Sequence, residues 1–267
     1  MKALNYPSYQ RIKTLTKYYI LTSMHNKSRL FIIILWPIID LFIWGFTTLY
    51  LIRPESQSSF FLSLTLGSFI LWNLTIKAQQ EISCQLMEDV FSQNFNNLLI
   101  TPLKKGEILI SLIISSIVKL FLVFSFLLFF ASLFYSFNIL KFSFWLLPFF
   151  ANLLIFGWSL GIVASGFILR FGLKMDFITW TLAFMIQPFS CVFYSRSILP
   201  YSFKIVSWLL PTSYIFEGMR KIILEQNLSL FHLYLSFSLN ILYLICACLF
   251  FVFMFNWAKK SGNLAKI

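Results

Sequence analysis

Asp40 and Lys119 are charged residues inside long apolar runs, and Glu217 and Arg220 close the apolar stretch WLLPTSYIFEGMR at 208–220. An ionisable group in hydrocarbon costs about 2.5–3.5 kcal/mol on insertion scales, which makes each intramembrane charge a functional candidate by default. At about 1.5 Å per helical residue, Asp40 and Lys119 both lie about 15 Å from the same end of their runs. Equal depth and opposite sign allow the two to pair across a bundle; the alternatives are a protonated Asp40 and a Lys119 that snorkels or lines a cavity. Glu217 and Arg220 stand three residues apart, so on a helix they can pair, or they mark the return of the chain to the headgroup region. Catalysis has little to work with. The histidines are His25 and His232, and no His-x-x-x-His, Cys-x-x-Cys or Gly-x-Ser-x-Gly occurs. Without a Gly-x-x-x-x-Gly-Lys-[Ser/Thr] loop, ATP hydrolysis is not expected of this chain, and no metal or cofactor of its own is expected. Cys84, Cys191, Cys246 and Cys248 read as packed thiols.

The elements that hold these residues follow from composition. The chain is 59% hydrophobic, 20% aromatic and 11% charged, which is too apolar for a soluble domain and reads as an integral membrane protein. A spanning helix needs about 20 apolar residues. Six candidate spans emerge, at about 30–52, 60–76, 108–135, 144–169, 177–194 and 231–257, the second and fifth short and the third long enough to tilt. Turn and charge signals such as Arg53-Pro54-Glu55, Pro102-Leu103-Lys104-Lys105-Gly106 and Arg170-Phe171-Gly172-Leu173-Lys174 separate them. The alternating segments of a transmembrane β-barrel are absent. The expected class is an all-α membrane protein with a basic segment 1–29, one six-span domain 30–257 and a tail 258–267.

Orientation follows from the positive charges. With the N-terminus inside, the cytoplasmic flanks collect fourteen Lys and Arg, including Lys77, Lys104, Lys105, Arg170 and Lys259, against six outside: Arg53, Lys141, Arg196, Lys204, Arg220 and Lys221. Both termini are therefore expected in the cytoplasm, with the first span an uncleaved anchor. The net charge of +12 reflects this bias and attraction to anionic headgroups, not nucleic-acid binding.

Between the second and third spans, Ile82, Leu86, Val90, Phe91, Phe95, Leu98 and Leu99 recur at helical steps, opposite Glu81, Gln85, Glu88, Asp89, Gln93, Asn94 and Asn97. This predicts an amphipathic helix ending at Thr101-Pro102. Its acidic and amide-rich face suits a protein partner; a helix lying on the bilayer is the alternative, although such helices are usually Lys/Arg-rich.

The run MEDVFSQNFNNLLITPLKKGEIL (87–109) resembles the segment before the third span of type-2 ABC exporter permeases. A second match follows in that family's order: Pro188, Ser190, Val192, Phe193, Tyr194, Leu199-Pro200, Leu210-Pro211, Tyr214, Glu217 and Arg220. The chain departs at Cys191 and Ser195, where the family often has glycine and proline. The resemblance covers essentially the whole chain. It implies a prokaryotic inner-membrane permease subunit that pairs with a second copy and with cytoplasmic ATP-binding subunits, which would use ATP and Mg. It places the coupling helix at about Ile82–Ile100, with Glu88, Asp89, Asn97, Pro102, Lys104, Lys105 and Gly106 at the contact. The implied cargo is drug-like, lipid or lipid-linked, with polysaccharide export and cytochrome maturation as branches; a non-transporting scaffold is the alternative class.

Ile12, Leu15 and Tyr19 share a face near the N-terminus, which fits either the family's interfacial helix or a plain basic tail. Trp44, Trp72 and Trp180 are either interface or packing residues or part of the cargo path. The segment between the last two spans is too long for a bare turn and too short to span. It reads as two short helices broken at Pro200 and Pro211, dipping into the outer leaflet as an external gate, with Thr212 capping the second and Tyr214, Glu217 and Arg220 upon it.

Overall fold

A computed structural model describes residues 7–25, 27–51, 58–136, 146–225 and 229–260. Lys2, Arg53, Lys141 and Lys266 of the charge count, the Arg53-Pro54-Glu55 turn and the tail beyond Lys260 lie outside these residues, as do the side chains of Lys27 and Arg29. The described chain is all-helical. Its helices are α1 (Ser8–His25), α2 (Lys27–Leu51), α3 (Ser58–Phe91), α4 (Asn94–Ile100), α5 (Lys105–Tyr135), α6 (Leu146–Phe171), α7 (Asp176–Ile186), α8 (Tyr201–Leu209), α9 (Pro211–Glu225) and α10 (Leu230–Lys260).

Four helices are long and apolar enough to cross a bilayer, at Ile33–Leu51, Lys105–Tyr135, Leu146–Phe171 and Leu230–Lys260. They match the first, third, fourth and sixth runs expected from the sequence. The second and fifth differ. α3 spans 34 residues without a break, so the expected short span and the first half of the amphipathic helix are one continuous rod. α7 has only 11 residues before a 3₁₀ turn at Gln187–Phe189, so helical geometry does not continue to Tyr194. Pro188 removes a backbone donor there, and Cys191 takes a left-handed φ of 54°.

Helix directions alternate. α6 runs parallel to α3, with Gly157 against Thr75 and Ala78 and Gly161 against Gln79 and Ile82. α10 runs parallel to α6, since Asn240 meets Asn152 and the Arg170 guanidinium lies 4.3 Å over the Trp257 ring. α1 runs parallel to α5, because Arg11 reaches Glu107 while Ser23 reaches Lys119. α5 opposes α3, and so does α7, whose Thr179 carbonyl accepts from Gln79 at 2.9 Å. Gly157 and Gly161, one turn apart on α6, let that helix approach α3 closely: a Cβ at either would stand 2.7 Å from a backbone carbonyl oxygen of α3.

The interior is layered. Tyr19, Ile82, Leu86, Leu112, Ile168 and Phe251 form one apolar cluster toward the end where α1 starts and α10 finishes. Trp72, Phe149, Leu153, Ile215 and Phe216 form another toward the opposite end. Charged residues lie between them.

Candidate functional site

The middle of the bundle carries four charges from three helices. Lys119, fifteenth of the 31 residues of α5, places Nζ 2.5 Å from Glu81 Oε2 and donates to Ser23 Oγ at 3.1 Å. Ser23 Oγ donates in turn to Gln85 Oε1 at 2.9 Å. Glu81, Ser23 and Gln85 are buried with Lys119, so the pair is removed from water and lipid together. The expected pairing of Lys119 with Asp40 is therefore corrected: the partner is Glu81. Asp40, on α2, lies within electrostatic reach of Lys77 instead, and Ser23 of α1 fills the space beside Lys119.

Lys77 is the larger revision. It reads as a cytoplasmic flank of a short span, yet α3 continues fourteen residues past it to Phe91, about 21 Å at 1.5 Å per residue. Lys77 lies in a narrow crevice with Leu120, the central residue of α5, and with Asn73, Val123, Phe124 and Leu127. Its Nζ donates to Gln80 Oε1 at 3.2 Å, and it lies within electrostatic reach of Asp40 and Glu81. Asp40, Lys77, Glu81 and Lys119 thus alternate in sign through the mid-layer. The sequence signal for Lys77 and Glu81 was helical phase: continued at 100° per residue, the α3 pattern puts both on one face.

At the end where the chain starts, α1 clamps the α4–α5 connection. Arg11 pairs with Glu107 at 2.9 Å and donates to the Pro102 carbonyl at 2.7 Å. Glu107 also caps α5 by accepting from the Lys104 backbone N–H at 2.9 Å. Burial pushes its carboxyl upward, but the Lys104 N–H, Ser8 and the Arg11 charge outweigh that and hold it below the usual range. The amphipathic segment Ile82–Ile100 is not one helix, because a turn with Gln93 at φ 56° separates α3 from α4. Asp89 is buried, not presented to a partner: it accepts from Tyr18 at 3.3 Å, and Asn94 donates to the same Tyr18 hydroxyl at 2.7 Å. Burial raises the Asp89 carboxyl to about 6 against the donors around it. Asn97, Pro102, Lys104 and Gly106 are exposed and Glu88 is half-buried, while Lys105 turns inward to Asn256 and lies 4.8 Å over the Phe255 ring.

Compared with known protein families, the chain matches none, and no characterised protein aligns with it. The resemblance in the sequence therefore stands on its motifs alone.

At the opposite end, Pro200 precedes α8 and Pro211 opens α9, as the two prolines predict. Glu217 and Arg220 form the i,i+3 pair at 3.2 Å. The same Glu217 oxygen accepts from the Arg196 backbone N–H at 2.7 Å and from Ser195 at 3.3 Å. Burial raises the Glu217 pKa, but these donors and the Arg220 charge leave its carboxyl below the usual range. Arg196, absent from the expected site, donates to Ser207 at 3.0 Å and Ser213 at 2.7 Å and lies 4.4 Å over the Tyr214 ring. Thr212 does not cap α9; it lies inside the helix and donates to Ser190 at 2.9 Å. Among the aromatics, Trp72 is 1% exposed and packs on Phe216, so it is a core residue and not part of an open path. Trp44 stacks on Phe193 at 4.6 Å and remains partly exposed, as does Trp180.

Proposed function

We propose that the chain is the membrane-spanning subunit of an ATP-driven exporter of the type-2 ABC permease kind, working as a pair with a second copy. One observation carries the reading: α4 is a short helix broken from α3, exposed on one side and fastened to the bundle on the other. Phe95 packs into the core and Asn94 binds Tyr18, while Asn97 and Ile100 point outward, Ile100 at 85% exposure. Phe91, at the break, is also exposed. A cytoplasmic ATP-binding subunit seated on this face would push on α4, and the Tyr18–Asp89 and Arg11–Glu107 contacts would carry the push into α1, α3 and α5.

The alternating helix directions support six crossings, with α3 and α7 crossing where polar side chains are covered by neighbouring helices. In this reading the α4 end and both termini face the cytoplasm, which the Lys and Arg of the sequence on that side support. The hairpin α8–α9 then closes the outer side as a re-entrant gate, its charges spent on one another. An amphipathic, drug-like or lipid-like cargo fits a bundle that exposes many large apolar side chains, among them Phe121, Phe129, Leu133 and Phe253.

Reconstitution with an ATP-binding subunit tests the reading. Replacing half-buried Glu88 at the end of α3 and exposed Asn97 on α4 with Glu88→Lys and Asn97→Lys should abolish co-purification and stimulated ATPase activity. Unchanged coupling in that double variant would remove the docking assignment. Docking without cargo-stimulated turnover would make the chain a scaffold.

A further inference from the structure

We infer that Asp40, with Trp36 and Trp44 one turn to either side of it on α2, is a recognition point for the cationic centre of an amphipathic amine or quaternary ammonium. The inference names the charge class of the cargo, and it rests on the exporter reading for that molecule's role as cargo. Asp40 is a half-buried carboxylate two residues, about 3 Å, before Phe42, the midpoint of the apolar run Ile33–Leu51. A charge at that depth is costly and marks a functional site by default. Among the described residues no hydrogen-bond donor and no cation is in contact with it. Lys77 lies within electrostatic reach, but its Nζ donates to Gln80 and its main charge partner is Glu81, one turn along α3.

The flanking aromatics set the sign of the occupant. Steps of four residues place Trp36, Asp40 and Trp44 on one face of α2. Both indoles are open, Trp36 at 58% and Trp44 at 38% exposure, and stacking on Phe193 at 4.6 Å holds the Trp44 ring in place. Trp44 stands two residues past the midpoint, far from the headgroup level where lipid-facing tryptophan settles. Tryptophan offers a cation the strongest π face of the aromatic side chains, so ring and carboxylate both favour positive charge and both disfavour an anion. Ile39, Ile43 and Phe46, exposed along the same helix, supply apolar surface for the rest of the molecule. Depth separates cargo from resident lipid: a zwitterionic phospholipid keeps its amine at the headgroup, about 15 Å or more from the midplane.

The test is photolabelling of the purified full chain in phosphatidylcholine nanodiscs. Dodecyltrimethylammonium carrying a diazirine beside its nitrogen is compared with the matching dodecanol and with phosphatidylcholine bearing the diazirine beside its choline. The cation should label the 36–47 segment about tenfold more than the alcohol, the scale of one cation–π contact joined to one charge pair. Asp40→Asn should abolish that preference, Asp40→Glu should keep it, and Trp44→Leu should reduce it several-fold. Equal labelling by cation and alcohol in the wild-type chain overturns the inference, as does a preference that survives Asp40→Asn. Protection of the segment from all three probes overturns it in favour of a face covered by the second copy. Asp40-dependent labelling by phosphatidylcholine overturns the cargo assignment in favour of a bound lipid. The wild-type comparison and Asp40→Glu keep the test decisive should Asp40→Asn fail to fold. Asp40-dependent capture by a chain that couples to no ATP-binding subunit would sink the exporter reading alone; coupling without Asp40-dependent capture would sink this inference alone.

Discussion

Lys119 of α5 and Glu81 of α3 meet at 2.5 Å in the middle of the bundle, both nearly inaccessible, with Ser23 of α1 completing the contact. Three helices are thereby fixed in register by one charge pair that neither water nor lipid reaches.

Breaking one side of this pair leaves a buried, uncompensated charge. Glu81→Gln or Lys119→Gln should each cost about 3–5 kcal/mol. The exchange Glu81→Lys with Lys119→Glu should recover part of the loss, whereas Asp40→Lys with Lys119→Asp should recover none. Thermal unfolding in detergent, followed by monodispersity, reads both outcomes.

The Arg11 clamp predicts a local effect. Arg11→Ala frees Glu107 and the Pro102 carbonyl together and should destabilise the α4–α5 connection by about 1–3 kcal/mol, the scale for hydrogen bonds to a charged group. Hydrogen exchange of residues 101–107 should rise while exchange in α10 stays unchanged. Glu107, with its lowered pKa, contributes stability that is present above its unfolded value of 4.5 and lost as pH falls through its folded value.

Asp89 has the opposite sign. Its carboxyl is raised to about 6 from 3.8, so the folded junction of α1, α3 and α4 holds a proton that the unfolded chain releases earlier. The contribution is fully present below the unfolded value and disappears as pH rises through about 6. Exchange protection of α4 should therefore increase on acidification from pH 7 to 5, and Asp89→Asn should flatten that dependence.

Packing between α3 and α6 leaves no room at Gly161, where a Cβ would lie 2.7 Å from the Gln79 carbonyl oxygen. Gly161→Leu should cost about 1–3 kcal/mol or more by overpacking, and Gly106→Leu, in open space, should do far less harm. Expression level and melting temperature distinguish the two.

Cys191 holds a left-handed backbone at φ 54°. Replacement by glycine removes a strain of roughly 1–2 kcal/mol and should leave the hairpin intact or firmer, whereas Cys191→Val should loosen it. Limited proteolysis between Ser190 and Pro200 measures the difference.

Much of this protein was legible in the order of its residues. Long apolar runs require helices, because only a helix satisfies its own backbone in hydrocarbon, so the spans in α2, α5, α6 and α10 followed directly. Proline placed the starts of α8 and α9, and three-residue spacing placed the Glu217–Arg220 pair, since both are local rules. The family-like motifs could be read, but motifs alone fix no contact, so the functional reading rests on the exposed face of α4.

Only tertiary structure decided where polar residues point. The sequence gives Lys77, Glu81, Gln85 and Asp89 the pattern of a solvent-facing stripe, and hydropathy ends the span before them. Packing by α1, α5 and α6 covers that stripe, because α1 brings Tyr18 and Ser23 and α5 brings Lys119 to meet it. Depth along a helix can be counted from a sequence, which set Asp40 and Lys119 level; azimuth between helices cannot, which is why Lys119 found Glu81.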